Sequence, residues 1–110
     1  MDTKMSDDLC IIYVTTGSFD EAKIIGEILV EEGLSACVNI ISDMHAIYRW
    51  QGKTQMDEEF VLIAKTRSSL IEPVTARVKE CHSYECPCVV AIPVTGGNSD
   101  FLNWINEEVK

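Results

Sequence analysis

Basic side chains are scarce in this chain. Lys and Arg number 9 against 18 Asp and Glu, a formal charge of −9. A surface of that sign repels phosphate backbones and anionic lipid, which argues against nucleic acid and membrane as partners and suits the attraction of cations. Long apolar runs are also missing. The longest, Cys88 to Val94, falls far short of the roughly 20 residues a helix needs to cross a bilayer. Met1 to Asp8 is acidic and polar, without the basic-then-apolar order of a signal peptide. It reads as a disordered tail ahead of one domain over 9–110. The five cysteines, Cys10, Cys37, Cys81, Cys86 and Cys88, are odd in number, which argues against a disulfide framework and for a reducing, cytoplasmic setting. Gly96-Gly97 lacks the wider phosphate-loop pattern and reads as a turn. No nucleophile is paired with a base by sequence, so an enzyme is not supported and no organic cofactor is expected.

What is present is an ordinary globular composition, 46% hydrophobic and 25% charged over 110 residues. Leu9 to Val14 is a continuous apolar run that predicts a strand buried on both faces. Ser18 and Glu21 have capping-box spacing, and Phe19, Ala22, Ile25, Leu29 and Val30 follow the helical period. Gly26 falls on that apolar face, which points to close packing against a sheet, and Gly33 ends the helix. Ser35 to Trp50 is β-rich with an irregularity at Ser42-Asp43. Gln51-Gly52 is a two-residue hairpin signal, and Lys53 to Thr66 is its return strand. Ser68 or Ser69 is the expected cap of a second helix carrying Leu70, Val74, Val78 and Cys81. Cys88 to Val94 is a last strand, with Pro93 placing its far end at an edge or outside the ladder. Asn98 or Ser99 opens a third helix with Phe101, Trp104, Ile105 and Val109 as its apolar positions. The order β-α-β-β-α-β plus a helix predicts an α+β, ferredoxin-like sandwich.

Length adds a quaternary expectation. A strand from Ser35 to Trp50 measures roughly 50 Å at about 3.3 Å per residue, whereas a domain of this size is only about 35 Å across. The hairpin therefore projects or folds back at Ser42-Asp43. A projecting hairpin bearing Ile47, Tyr48 and Trp50 exposes apolar surface and strand edges that a second copy would cover.

The chemistry-bearing groups crowd into His82-Ser83-Tyr84-Glu85-Cys86-Pro87-Cys88, where a helical pattern gives way to a strand. Thiolate and imidazole suit copper or zinc, but the spacings are not those of a complete four-ligand site. The same residues fit small core thiols and a histidine capping the helix end. Tyr84 and Glu85 read first as a buried hydroxyl satisfying a turn and a surface carboxylate, and otherwise, with Lys65 as a cation at a strand end, as a polar small-molecule site. His45 reads as a lone exposed histidine, Trp50 and Trp104 as packing anchors, and Asp57-Glu58-Glu59 as a solvated part of the hairpin.

Four stretches carry a family resemblance: Gly33-Leu34-Ser35-Ala36-Cys37-Val38-Asn39, Tyr48-Arg49-Trp50-Gln51-Gly52-Lys53, Lys65-Thr66, and His82 through Pro87 continuing to Ile92-Pro93-Val94. Asp100 to Ile105 fits as well. From about Leu9 to Val109 the chain resembles the CutA divalent-cation tolerance family. The resemblance implies a ferredoxin-like subunit of a homotrimer with hairpins pairing between subunits, a likeness to the trimeric PII signalling proteins, and a role in tolerance of copper or another divalent metal ion. It implies a metal site at His82 with Cys81, with Cys37 nearby, and a cleft between subunits formed by Trp50, Glu59, Lys65, Tyr84 and Glu85. The chain departs from the family pattern where Thr15 or Thr16 replaces a cysteine and Cys81 replaces a histidine. The alternatives are a PII-like sensor of a small anionic ligand and a non-catalytic trimeric scaffold.

Overall fold

A computed structural model describes residues 8–110. The tail expected over 1–8 lies outside them except for Asp8, whose carbonyl accepts a hydrogen bond from the Ser68 amide at 2.7 Å. The elements run β1 (Leu9–Thr16), α1 (Phe19–Glu31), β2 (Cys37–Trp50), β3 (Lys53–Arg67), α2 (Ile71–Cys81), β4 (Val89–Pro93) and α3 (Ser99–Glu108). The four strands form one antiparallel sheet in the order β2-β3-β1-β4. This is the ferredoxin-like α+β arrangement expected, with the additional C-terminal helix.

Alternation along the strands sets the core. Cys10, Ile12 and Val14 of β1 and Leu62 and Ala64 of β3 point to one face. There they pack with Ala22, Ile25 and Leu29 of α1 and with Val74 and Val78 of α2. Gly26 explains how closely α1 approaches the sheet, since a Cβ there would stand 3.1 Å from Val38 Cγ1. A smaller cluster of Ala36, Ile105 and Val109 ties α3 to the sheet's end. The helical-period reading placed too many residues inside. Phe19 and Val30 of α1, and Phe101 and Trp104 of α3, stay exposed. Phe101 and Trp104 stack on each other instead, with centroids 5.6 Å apart.

Among the described residues, helices cover one face of the sheet. On the other, Val90 and Ile92 of β4 and Ile41 of β2 are exposed. The apolar run of β1 thus has one buried and one partly open side within a single chain, against the expectation of burial on both faces.

The hairpin of β2 and β3 is fully paired out to Trp50↔Lys53, with a register shift between Ile41 and Met44 where Asp43 has φ 63°. At its tip Gln51 and Gly52 have φ 52° and 80°, the left-handed pair of a type I′ turn, which glycine adopts without steric cost. The hairpin projects rather than folding back, and the long axis of the molecule is 49 Å against 25 and 24 Å for the others. Strand β1 pairs with β3 only from Phe60 to Arg67. The distal half of β3 and the outer side of β2 are therefore open edges among the described residues.

Helix α2 is not capped by Ser68 or Ser69. A 3-10 turn over Ser68–Leu70 leads into it and Leu70 occupies the cap position without a side-chain hydrogen bond. The capping box of α1 is half-formed. Ser18 Oγ accepts from the Glu21 amide at 3.1 Å, but the Glu21 carboxylate accepts from the Ser83 amide at 2.7 Å instead of returning to the cap. That diversion is the first sign of how the 82–88 connection is held.

Candidate binding cleft

The connection is built around one imidazole. His82 follows the last residue of α2 with extended backbone, and its side chain is fully buried. Nε2 is 2.7 Å from the Thr15 carbonyl oxygen, which can only accept, so Nε2 carries the proton. Nδ1 accepts from the Tyr84 amide at 3.0 Å. Both ring nitrogens are thus engaged, and the Glu21 carboxylate lies 3.7 Å from Nδ1. The His82 and Tyr84 rings pack with centroids 4.7 Å apart. This fixes where the Tyr84 hydroxyl points. It donates to Glu59 Oε2 at 2.7 Å, and it passes so close to Gly17 that a Cβ there would be 3.1 Å from it. Glu59 is buried, with 8% exposure. Burial, and then the hydrogen bond to Glu59, pushes the Tyr84 phenol well above the usual tyrosine range.

Above this pair opens a cleft of about 720 Å³. One wall is the connection, with Tyr84, Glu85, Cys86 and Cys88. The opposite wall is the hairpin, with Met44, His45, Tyr48, Trp50, Asp57 and Glu59, and Tyr13 and Thr15 of β1 also line it. The Tyr48 hydroxyl donates to the Asp57 carboxylate, and that bond holds its phenol above the usual range. Burial likewise raises the Cys88 thiol, opposed by a hydrogen bond with Thr15 and reinforced by the charges of Glu59 and Cys86. Asp57, Glu59 and Glu85 supply three carboxylates, and no Lys or Arg is among the described residues that line the cleft.

Four of the expected pocket residues, Trp50, Glu59, Tyr84 and Glu85, meet here. Lys65 does not. It pairs with Cys37 and Ile11 in the sheet, and it is six positions from Glu59, roughly 20 Å along a strand. Its ammonium contacts Cys37 Sγ at 3.4 Å and the Asn39 side-chain oxygen. Of the three residues named for metal, Cys81 and His82 are consecutive at the end of α2 and Cys37 starts β2. Cys37 lies with Lys65, and Cys81 Sγ is 3.5 Å from an Arg77 guanidinium nitrogen. Only His82 approaches the cleft floor, and it is occupied on both nitrogens. Among the described residues no three His, Cys, Asp or Glu side chains are grouped to hold a metal ion.

The sequence reading missed Asp57, Tyr48, His45 and Cys88 as cleft residues. A signal existed for Asp57, which is two positions from Glu59 and so on the same strand face. The same alternation relates Cys88 to Cys86 across Pro87. His45 carried no such signal, because the bulge beside it shifts the alternation.

A four-stranded antiparallel sheet in split βαββαβ order, with a carboxylate-bearing cleft between a long hairpin and the α2–β4 connection, defines a small ferredoxin-like α+β protein. More specifically, the chain belongs to the CutA family. The family model described as CutA1 divalent ion tolerance protein matches residues 10–108. The chain is 43% identical over 99 residues to the divalent-cation tolerance protein CutA of Archaeoglobus fulgidus, covering 90% of this chain and 96% of that protein. It is 41% identical over 100 residues to the chloroplastic protein CutA of Arabidopsis thaliana, which covers 91% of this chain but spans about half of the plant protein, 55% of its length. Among solved structures, CutA1 from Oryza sativa superposes with a TM-score of 0.90 at 38% identity, covering 93% of this chain and 94% of that one. The Archaeoglobus fulgidus CutA structure, described as periplasmic, gives a TM-score of 0.89 at 42% identity over 93% and 99%. No helix among the described residues is long and apolar enough to cross a membrane.

Proposed function

We propose that this protein works as a homotrimer that binds a divalent cation, copper among the candidates, in the cleft between hairpin and connection, and that it serves the metal-ion response. The observation that carries this reading is the sign of the cleft. Three carboxylates face it with no Lys or Arg in its lining among the described residues, so a cation is attracted where an anionic metabolite is repelled. The anionic-ligand reading needs Lys65, which within one subunit lies outside this cleft, beside Cys37 and Asn39. Binding at His82 with Cys81 would require the imidazole to release the Thr15 carbonyl or the Tyr84 amide. The cleft carboxylates are therefore the better first contact, with the remaining ligands from side-chain movement or a neighbouring subunit.

The trimer reading is supported by the open edges of β2 and β3 and by the exposed apolar groups Ile47, Met56, Val90 and Ile92. Binding rather than catalysis fits a cleft whose half-buried thiol, Cys88, is pushed upward by burial rather than activated. Five free cysteines support a reducing, cytoplasmic location. Calorimetric titration of the full chain with copper(II) and zinc, beside Glu59→Gln and Glu85→Gln variants, tests the site. Binding that weakens in both variants is expected, and wild-type affinity in both would overturn the assignment. Analytical ultracentrifugation of the wild type and of Ile92→Asp tests the assembly. A trimer that dissociates in the variant is expected, and a monomeric wild type at micromolar concentration would refute it.

A further inference from the structure

One face of the hairpin collects two kinds of group. Alternation along β2 puts Tyr48 and Trp50 on it, and strand register sets Met44 opposite Glu59 and Ala46 opposite Asp57. All of these line the cleft. Tyr48 and Trp50 are 40% and 43% exposed, so their rings are open to a ligand. Glu85 stands on the facing wall, and Tyr13 and Tyr84 add two further rings.

The polar groups on this face accept hydrogen bonds. The Tyr48 hydroxyl donates its proton to Asp57 and the Tyr84 hydroxyl donates its own to Glu59, so each phenol oxygen is left with lone pairs only. Glu59 is buried, yet no Lys or Arg among the described residues lines the cleft to neutralise it. The complement of such a lining is a positively charged hydrogen-bond donor. Size and walls say which kind. At about 720 Å³ the cleft has the capacity of a small-molecule site, which runs to roughly 300–1,000 Å³. Among the described residues no three ligating side chains converge on one point, and an organic cation needs no such convergence. Aromatic faces attract an ammonium group and pack against its alkyl stem.

We propose that the cleft binds an aliphatic di- or polyamine, with its ammonium groups on the carboxylates of the two walls and its alkyl chain against Tyr48 and Trp50. Asp57 and Glu59 stand on the hairpin and Glu85 on the connection, so a ligand charged at both ends answers both walls. The inference rests on the sign of the cleft, as the divalent reading does. It assigns a different class of ligand, and it gives the aromatic residues a role that a metal ion leaves unused.

The test is calorimetric titration of the full chain with spermidine, in the presence of EDTA and at physiological ionic strength. Saturable binding is expected, and a diol of the same chain length is expected not to bind. Trp50→Ala and Glu85→Gln are each expected to weaken spermidine binding about threefold or more. Both residues are exposed, so the variants keep the fold, and thermal unfolding checks this. Glu72→Gln removes the same charge from α2, outside the cleft lining, and is expected to change nothing. Absence of saturable binding, wild-type affinity in Trp50→Ala, or an equal loss in Glu72→Gln would overturn the proposal. A zinc titration without EDTA, run in parallel, separates the two readings. Zinc bound without spermidine sinks the amine site alone, spermidine bound without zinc sinks the divalent reading alone, and neither bound sinks both.

Discussion

Replacing His82 by alanine removes the centre of the α2–β4 connection, and the cost can be built from its contacts. The imidazole donates to the Thr15 carbonyl and accepts from the Tyr84 amide. Each such bond is worth about 1 kcal/mol net. Ring contact with Tyr84, at a centroid separation of 4.7 Å, adds roughly 1 kcal/mol more. The expected loss is about 3 kcal/mol, or a fall of roughly 1.5 M in the urea midpoint for an m-value of about 2 kcal/mol/M. Urea unfolding followed by tryptophan fluorescence measures it, at one fixed protein concentration because an oligomer's stability depends on concentration. The outcome separates two roles for the same residue. A histidine that locks the connection gives a large stability loss. A histidine held free as a metal ligand gives a loss of affinity at nearly unchanged stability. A stability change below about 0.5 kcal/mol, the range of ordinary surface substitutions, would refute the lock.

Tyr84→Phe leaves the buried Glu59 carboxylate without its phenol donor and should cost about 1.5–3 kcal/mol in the same assay; a neutral variant would show that Glu59 is otherwise solvated. Because the Tyr84 phenol is raised in the folded protein, its stabilising contribution is complete below the unfolded tyrosine pKa of about 10 and declines as pH rises toward the folded value. Wild type should therefore lose stability above about pH 10 more steeply than Tyr84→Phe, and parallel alkaline profiles would contradict that. Gly26→Leu gains about 1 kcal/mol of helix propensity but forces side-chain bulk against Val38, and a net loss of about 1–2 kcal/mol is expected from overpacking; thermal unfolding that rises instead would show the helix–sheet gap to be slack. Gln51→Asn, at a left-handed turn position, should gain about 0.5 kcal/mol, and a lower denaturation midpoint would refute the type I′ assignment.

The strands and their order were legible because each has a clear period and a turn residue at its end. Gln51-Gly52, Ser18, Gly33 and the irregularity at Ser42-Asp43 each mark a local event that depends on few neighbours. What the sequence could not assign was which side of an apolar helix faces the core. Phe19, Val30, Phe101 and Trp104 fit the helical period, but they sit at the margins of their stripes, where tertiary packing decides. The cleft was half legible. Tyr84, Glu85, Trp50 and Glu59, expected at a cleft between subunits, line one cleft within the subunit, whereas Lys65 sits six positions from Glu59 along β3. Strand pairing carries it to the far end of β1 from His82. The partnership of His82 with Thr15 links residues 67 apart in sequence, and no local pattern signals a bond of that kind.

The hairpin joins the quaternary expectation to the chemistry. Its 14- and 15-residue strands run past the end of β1, so Lys53 to Glu59 has no β1 partner. That overhang is what opens strand edges to a neighbour. It is also what carries Asp57 and Glu59 out over the 82–88 connection, where Tyr84 and Glu85 face them across the cleft. A shorter hairpin, ending where β1 ends, would bury no carboxylate against Tyr84 and would form no second wall. The extra length therefore has two consequences that cannot be separated by trimming the tip. Any neighbour that pairs with the overhang also borders the cleft. Metal affinity and oligomeric state should accordingly change together when the overhang is altered, and separately when Glu85 or Ile92 alone is replaced.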